Sequence, residues 1–215
     1  MKVKNIIILI SLLTLAVSWE WPWSSSNNND ENQSTLLQLR EGEYNISSEE
    51  SELNWVGKNI TSKIHTGTLQ IQGGTISINA DGIVSGSVVV DMSTINTTNL
   101  QGEWKDKLDG HLKSSDFFSV DEYPTASFTF TSKANLVKDN VIEFNGELTI
   151  KNITHPLNFT AEILETNLLL KAKSSITFDR SKYDIRYGSG SFFEDLGDNL
   201  ILDDINFDVL LVAQG

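Results

Sequence analysis

Along most of the chain, apolar residues fall on every second position. Leu69 and Ile71 alternate with polar neighbours, Gly73-Gly74 interrupts, and Ile76 and Ile78 resume with the parity shifted by one. Such a shift at paired glycines predicts a bulge or a tight turn. Val88, Val90 and Met92 share a face, and Ala126, Phe128 and Phe130 share another, opposite Thr125, Ser127, Thr129 and Thr131. Phe144, Leu148 and Ile150 lie opposite Glu143, Glu147 and Lys151. One parity then holds from Ile153 through His155, Leu157, Phe159 and Ala161 to Ile163. Leu168, Leu170, Ala172, Ile176 and Phe178 follow, and Ile205, Phe207, Val209 and Leu211 complete the series. A period of two with one apolar parity predicts half-buried strands. There are about eight of them, joined mostly by short Gly/Asn/Asp turns, which predicts an antiparallel barrel or sandwich.

Two segments break the rhythm. In "LQGEWKDKLDGHL" the residues Leu100, Trp104, Leu108 and Leu112 recur every fourth position, predicting a short amphipathic helix weakened by Gly110. The following "GHLKSSDFF" then reads as a corner where this helix caps the barrel, with Phe117 and Phe118 plugged against it. Pro124 suits the first position of the next strand, where no N–H is needed. The second segment, "DRSKYDIRYGSGSFFEDLGDN" at 179–199, is a long loop rich in glycine and aromatic rings. Loops of that length in a compact domain are functional or disordered, and the rings argue against disorder.

The amino-terminal region is organised differently. Met1-Lys-Val-Lys, an apolar run and the small residues Ala16-Val17-Ser18 have the form of a secretory signal peptide over 1–18, either cleaved after Ser18 or retained as an anchor. Residues 19–42, with "WEWPW" and "SSSNNNDENQS", read as a low-complexity tether to a domain at 43–215. Trp19, Trp21 and Trp23 fit either a weak membrane-interface contact or an apolar patch without a role.

Composition narrows the chemistry. Sixteen basic against 29 acidic residues give a net charge of −13, a surface that repels phosphate backbones and so excludes nucleic acid as a natural partner. With no cysteine there is no disulfide, thiolate metal site or thiol nucleophile. A disulfide-free exported chain suggests a bacterial envelope, the periplasm or beyond. His65, His111 and His155 are too scattered for a metal site. His155 has the apolar parity of a core histidine, and His65 sits at a strand start. His111, beside Lys113 and Asp116, is either a structural hydrogen-bonding group or a functional one. "GSGSF" at 188–192 lacks the following helix that a nucleophile elbow needs.

What the pattern offers is lining. If the strands close, Phe128, Phe130, Phe144, Leu148, Ile150, Leu157, Phe159, Ile176, Phe178 and Phe207 point inward. An eight-stranded barrel is just wide enough to be filled by such side chains or to hold one slender ligand.

Several stretches together resemble the YceI-like family: "SELNWVGKNITSKIHTGTLQI", "VVVDMSTINTT", "HLKSSDFFSVDEYPTASFTFTS", "NGELTIKNITHPLNF", "DRSKYDIRYGS" and "LGDNLILDDINFDV". They keep the family's order over nearly all of 43–213. The resemblance implies an all-β, lipocalin-like eight-stranded antiparallel barrel exported to the periplasm. Its apolar tunnel would hold a long-chain isoprenoid-type lipid, a polyisoprenoid or isoprenoid quinone, with no cofactor and no established catalysis. The ten apolar residues above are then expected to line the tunnel, and Arg180, Tyr183, Tyr187 and His111 to stand at its mouth or meet a head group. For Arg180 a structural pair with an aspartate, such as Asp179 or Asp198, is the competing expectation. Where many members carry a histidine near "VGKN", this chain has Lys58 and Asn59. A second class remains open, a small-molecule enzyme using His111 or His155 with a carboxylate, as does a filled barrel acting as an interaction module. Oligomeric state is not readable; a dimer is compatible.

Overall fold

Turn chemistry sets the strand ends. Lys151 and Asn152 both take left-handed backbone (φ 51° and 59°) between the paired residues Ile150 and Ile153. That is a two-residue hairpin loop whose twist matches the strands it joins. Asp139 and Asn140 repeat the left-handed pair (φ 53° and 61°) before the strand that starts at Val141. The computed structural model describes residues 38–133 and 139–215. The expected signal peptide, most of the tether and the three tryptophans Trp19, Trp21 and Trp23 lie outside them.

Ten strands follow in chain order: β1 Gly42–Ile46, β2 Glu52–Lys58, β3 Ile64–Ile78, β4 Val84–Thr97, β5 Thr125–Ser132, β6 Val141–Ile150, β7 Ile153–Pro156, β8 Phe159–Glu165, β9 Leu170–Asp179 and β10 Asp204–Gln214. Helix α1, Gly102–Lys113, lies between β4 and β5. All pairings between them are antiparallel, and β9 meets β10 to close the ring. Two positions in the wall are shared. β1 and β2 both lie between β3 and β10, and β7 and β8 both pair with β6. The result is an eight-membered, lipocalin-like barrel.

Most of the expected rhythm holds; the paired glycines are decided between their two readings, and two expectations are corrected. β3 runs unbroken through Gly73-Gly74 as a strand with register shifts at Thr68/Gln70 and Ile71/Gly73, so the glycines mark a bulge rather than a turn. Leu168 belongs to no strand and is 89% exposed; β9 begins at Leu170. α1 forms where the fourfold spacing placed it, but Trp104 is 72% exposed under Lys107 instead of packing inward. Leu108 and Leu112 face the barrel without it. The helix is tied down at Asp109, which bonds Lys105 and accepts from Thr97 N at 2.8 Å. Lys105 and Thr97 hold the Asp109 carboxyl below its usual range, outweighing the burial that would raise it.

One end of the barrel is packed with Leu39, Ile46, Ile78, Val84, Ile142, Ile163 and Leu170, of which Leu39, Val84, Ile163 and Leu170 also line the interior. The other carries α1, the β2–β3 turn and the 180–202 segment, and there the interior opens.

Candidate functional site

The barrel is hollow. Its interior holds a cavity of about 1190 Å³, beyond the roughly 300–1,000 Å³ of ordinary small-molecule clefts. Of the ten residues expected on its wall, nine are there: Phe128, Phe130, Phe144, Leu148, Ile150, Leu157, Phe159, Ile176 and Phe207. Phe178 is not. It is buried between Phe207, stacked at 5.3 Å, and the edge of Tyr183 at 5.6 Å. Phe144 and Phe159 stack at 4.9 Å, with Phe130 edge-on to both at 5.4 and 5.9 Å. Gly146 permits this crowding, since a Cβ there would meet the Phe128 ring at 2.4 Å.

The opposite wall was missed as lining. Leu53, Trp55, Leu69, Ile71, Met92 and Ile95 from β2–β4 face the same cavity. The alternation of Leu69, Ile71 and Ile76 was the signal. Trp55 lies flat over its cross-strand partner Gly67, whose hypothetical Cβ would fall 2.4 Å from the indole.

At the mouth, His111 and Tyr187 stand where expected. The His111 ring meets Phe117 and Tyr187 edge-on at 4.9 and 4.5 Å, and its Nε2 is 3.1 Å from Asp116 Oδ2. Lys58, Lys63, His65, Lys151 and Arg186 also border the cavity. Burial, then the neighbouring Lys63 ammonium, pull His65 below the usual histidine range, with Asn99 opposing.

Arg180 also borders the cavity, but buried and bonded within the protein, while Tyr183 does not line it, which corrects the expectation for Tyr183. Arg180 is 1% exposed. Its Nε donates to Leu202 O (3.3 Å), Nη1 to Ile185 O (3.2 Å) and Tyr187 O (2.9 Å), and Nη2 to Ile201 O (3.1 Å). Nη2 also lies 3.2 Å from Asp203 Oδ1, an ionic contact aligned too poorly to be a hydrogen bond. Four of the guanidinium's five N–H groups are taken by main-chain carbonyls, and the fifth, on Nη2, has only the ionic contact with Asp203. Its carboxylate is Asp203, neither Asp179 nor Asp198. The other oxygen of Asp203 accepts from Ser189 Oγ (2.9 Å) and Ser191 Oγ (2.8 Å), so the "GSGS" serines brace the loop. Tyr183 is 2% exposed, edge-on to His155 at 5.3 Å, and burial followed by Asp179 pushes its hydroxyl up to about 12. His155 Nε2 lies 3.0 Å from Lys182 O, and the residue is half-buried at the edge of Tyr183, so it is not the core histidine that parity suggested.

A closed antiparallel barrel with an apolar interior and one dressed end defines a lipocalin-like fold. A family model, the YceI-like domain, matches residues 44–213, and the chain belongs to that family. Protein YceI of Shigella flexneri is 36% identical over 72 residues, 33% of this chain and 36% of the relative, so the match spans about a third of that protein. A UPF0312 protein of Pseudomonas putida is 28% identical over 126 residues, 58% of this chain and 63% of the relative. Among solved structures, BcnA of Burkholderia cenocepacia superposes with a TM-score of 0.60 at 17% identity, covering 79% of this chain and 99% of its own. A polyisoprenoid binding domain from Saccharophagus degradans, implicated in plant cell wall breakdown, gives 0.57 at 16% identity, covering 80% and 98%.

Proposed function

We propose that the protein binds a long, slender, largely apolar ligand of the isoprenoid class, a polyprenyl lipid or isoprenoid quinone, inside its barrel. The observation that carries this reading is the hollow interior, walled by aromatic and branched aliphatic side chains. Each methylene moved from water into it contributes about 0.8 kcal/mol, so tight binding needs no charged contact. Membership of the YceI-like family supports the class, as does the likeness in fold to a polyisoprenoid binding domain. The amino-terminal pattern of charge and hydropathy supports work in a bacterial envelope, where such lipids reside.

Native mass spectrometry of protein purified from its own envelope, followed by lipid extraction, tests the reading. The expected result is an adduct whose extracted mass is that of an isoprenoid chain. A bare polypeptide that also refuses geranylgeraniol in refeeding, with no change in Trp55 emission, would sink it.

One contact favours a second reading. His111 and Asp116 form an acid–base pair at 3.1 Å on the mouth, the geometry general acid–base catalysis needs. Turnover of a bound lipid that disappears in His111→Gln, while binding persists, would establish it.

A further inference from the structure

The wall between β8 and β9 is incomplete. The two strands pair only through Glu162↔Lys173, Ile163↔Ala172 and, after a register shift, Glu165↔Lys171. Continued, that register would set Thr160 opposite Ser175 and Phe159 opposite Ile176, but no ladder forms there. β7, next towards the mouth, pairs with β6 alone. β9 meanwhile keeps ten consecutive pairs with β10 on its other edge. Across the gap one side chain replaces the ladder, Ser174 Oγ donating to Thr160 O at 2.6 Å. An antiparallel strand points every second N–H and C=O towards a given neighbour. Along this seam those groups have no facing strand to pair with, and the flanking Thr160 and Ser175 are exposed.

A groove of about 340 Å³ lies outside the seam. Phe159 and Ile176 line both this groove and the central cavity, so these two side chains are the partition between them. The rest of the groove is hydrogen-bonding and uncharged in balance. Asn158, Thr160, Ser175 and Thr177 face it, and its one lysine, Lys133, is paired with Glu143 at 3.1 Å. Outside the groove's lining, Lys173 is likewise paired with Glu162 at 2.9 Å. Ser175 already donates to Asp208, leaving its oxygen to accept, and Thr177 already accepts from Asn206, leaving its O–H to donate.

We infer that this seam is a lateral subsite, in which an uncharged hydrogen-bonding end group of the ligand (a hydroxyl, carbonyl or amide) sits in the groove while its chain passes between Phe159 and Ile176 into the barrel. The inference rests on the binding function proposed above. Phe159 is fixed by its stack on Phe144, so Ile176 is the side that yields. The four neutral side chains supply donors and acceptors, and nothing in the groove attracts a net charge.

The chain has no cysteine, so a pair can be placed without competing thiols. Thr160→Cys with Ser175→Cys, oxidised, pins the seam shut. The probe is 12-(1-pyrenyl)dodecanol, passed from protein to phosphatidylcholine vesicles and followed by pyrene emission. Transfer is expected to slow at least tenfold on oxidation and to recover on reduction. Equal rates in the two states would overturn the lateral route. If the pair does not oxidise, Thr160→Cys alone is footprinted with a charged maleimide. The pyrenyl alcohol is expected to cut labelling at least fivefold and dodecylpyrene, its hydrocarbon counterpart, to leave it unchanged. Equal protection by both, or by neither, would overturn the subsite. Refusal of both probes by the reduced and the unmodified protein would instead remove the binding function, and the subsite with it.

Discussion

Replacing Arg180 removes the partner of four main-chain carbonyls and one carboxylate in a region almost closed to water. Breaking a buried pair from one side leaves an uncompensated charge and costs about 3–5 kcal/mol. Arg180→Ala is therefore expected to lower the urea midpoint by that equivalent while leaving the ratio of affinities for a prenol and its hydrocarbon unchanged. A changed ratio would restore Arg180 to a head-group role. Arg180→Lys should fall almost as far, because an ammonium cannot span the same fork of acceptors. Tyr183 supplies a pH signature. Its folded value of about 12 lies above the ordinary 10, so the folded chain holds the extra proton between them. Stability from this group is full below pH 10 and is lost as pH rises towards 12, which denaturant titrations at pH 9, 10.5 and 12 would follow. Sequence alone could single out Arg180 but not see its task. Its acceptors are backbone oxygens, which every residue carries, and Asp203 is distant along the chain. Tyr183 was misplaced for a related reason: a ring in a glycine-rich loop reads as a lid, and only the fold shows it filling the wedge beside β7.

At the level of elements, the seam makes β7 and the start of β8 the least tied part of the wall. Amide exchange is expected to be faster in peptides covering 153–160 than in those covering 85–91, where β4 is paired on both sides. Uniform protection around the barrel would contradict the break. The strands themselves could be read from parity because each has one face inside and one outside, and period two is what that asymmetry writes into a chain. Parity cannot show where hydrogen bonds stop. The run Ile153–Ile163 keeps one alternation, yet it is two strands, β7 and β8, because the ladder to β6 is interrupted at Leu157 and Asn158, where only Leu157 N still bonds Gly146 O, at 2.8 Å. Trp104 shows the converse limit, since fourfold spacing forecast the helix correctly but not which of its apolar residues the barrel needed.

For the molecule as a whole, occupancy and stability are linked. A ligand that binds only the closed barrel adds RT ln(1 + [L]/Kd), about 2.7 kcal/mol at a hundredfold excess over Kd. Thermal unfolding with rising geranylgeraniol should show a steadily climbing Tm, and a flat Tm over that range would mean that the lipid does not enter. Phe128→Glu is expected to abolish the climb and to lower the starting Tm, because it sets an unpaired carboxylate against Phe159, 5.2 Å from the native ring. That the barrel is hollow was beyond the reach of the sequence. The same inward phenylalanines suit a solid core, and the choice turns on the summed volumes of both walls, half of which come from β2–β4.

Closure of the ring rests on β10, which pairs with β2 through Asn206↔Val56 and Val209↔Leu53, and with β9 along its whole length. Early residues therefore wait for late ones. Contacts so distant along the chain are slow to form, because the loop must be closed before the contact repays it. While a ribosome is still making this protein, β2 and β9 are two unsatisfied edges with no partner yet synthesised. The hairpins of β3 to β6 can pair as they emerge, but the ring itself stays open until β10 has been made.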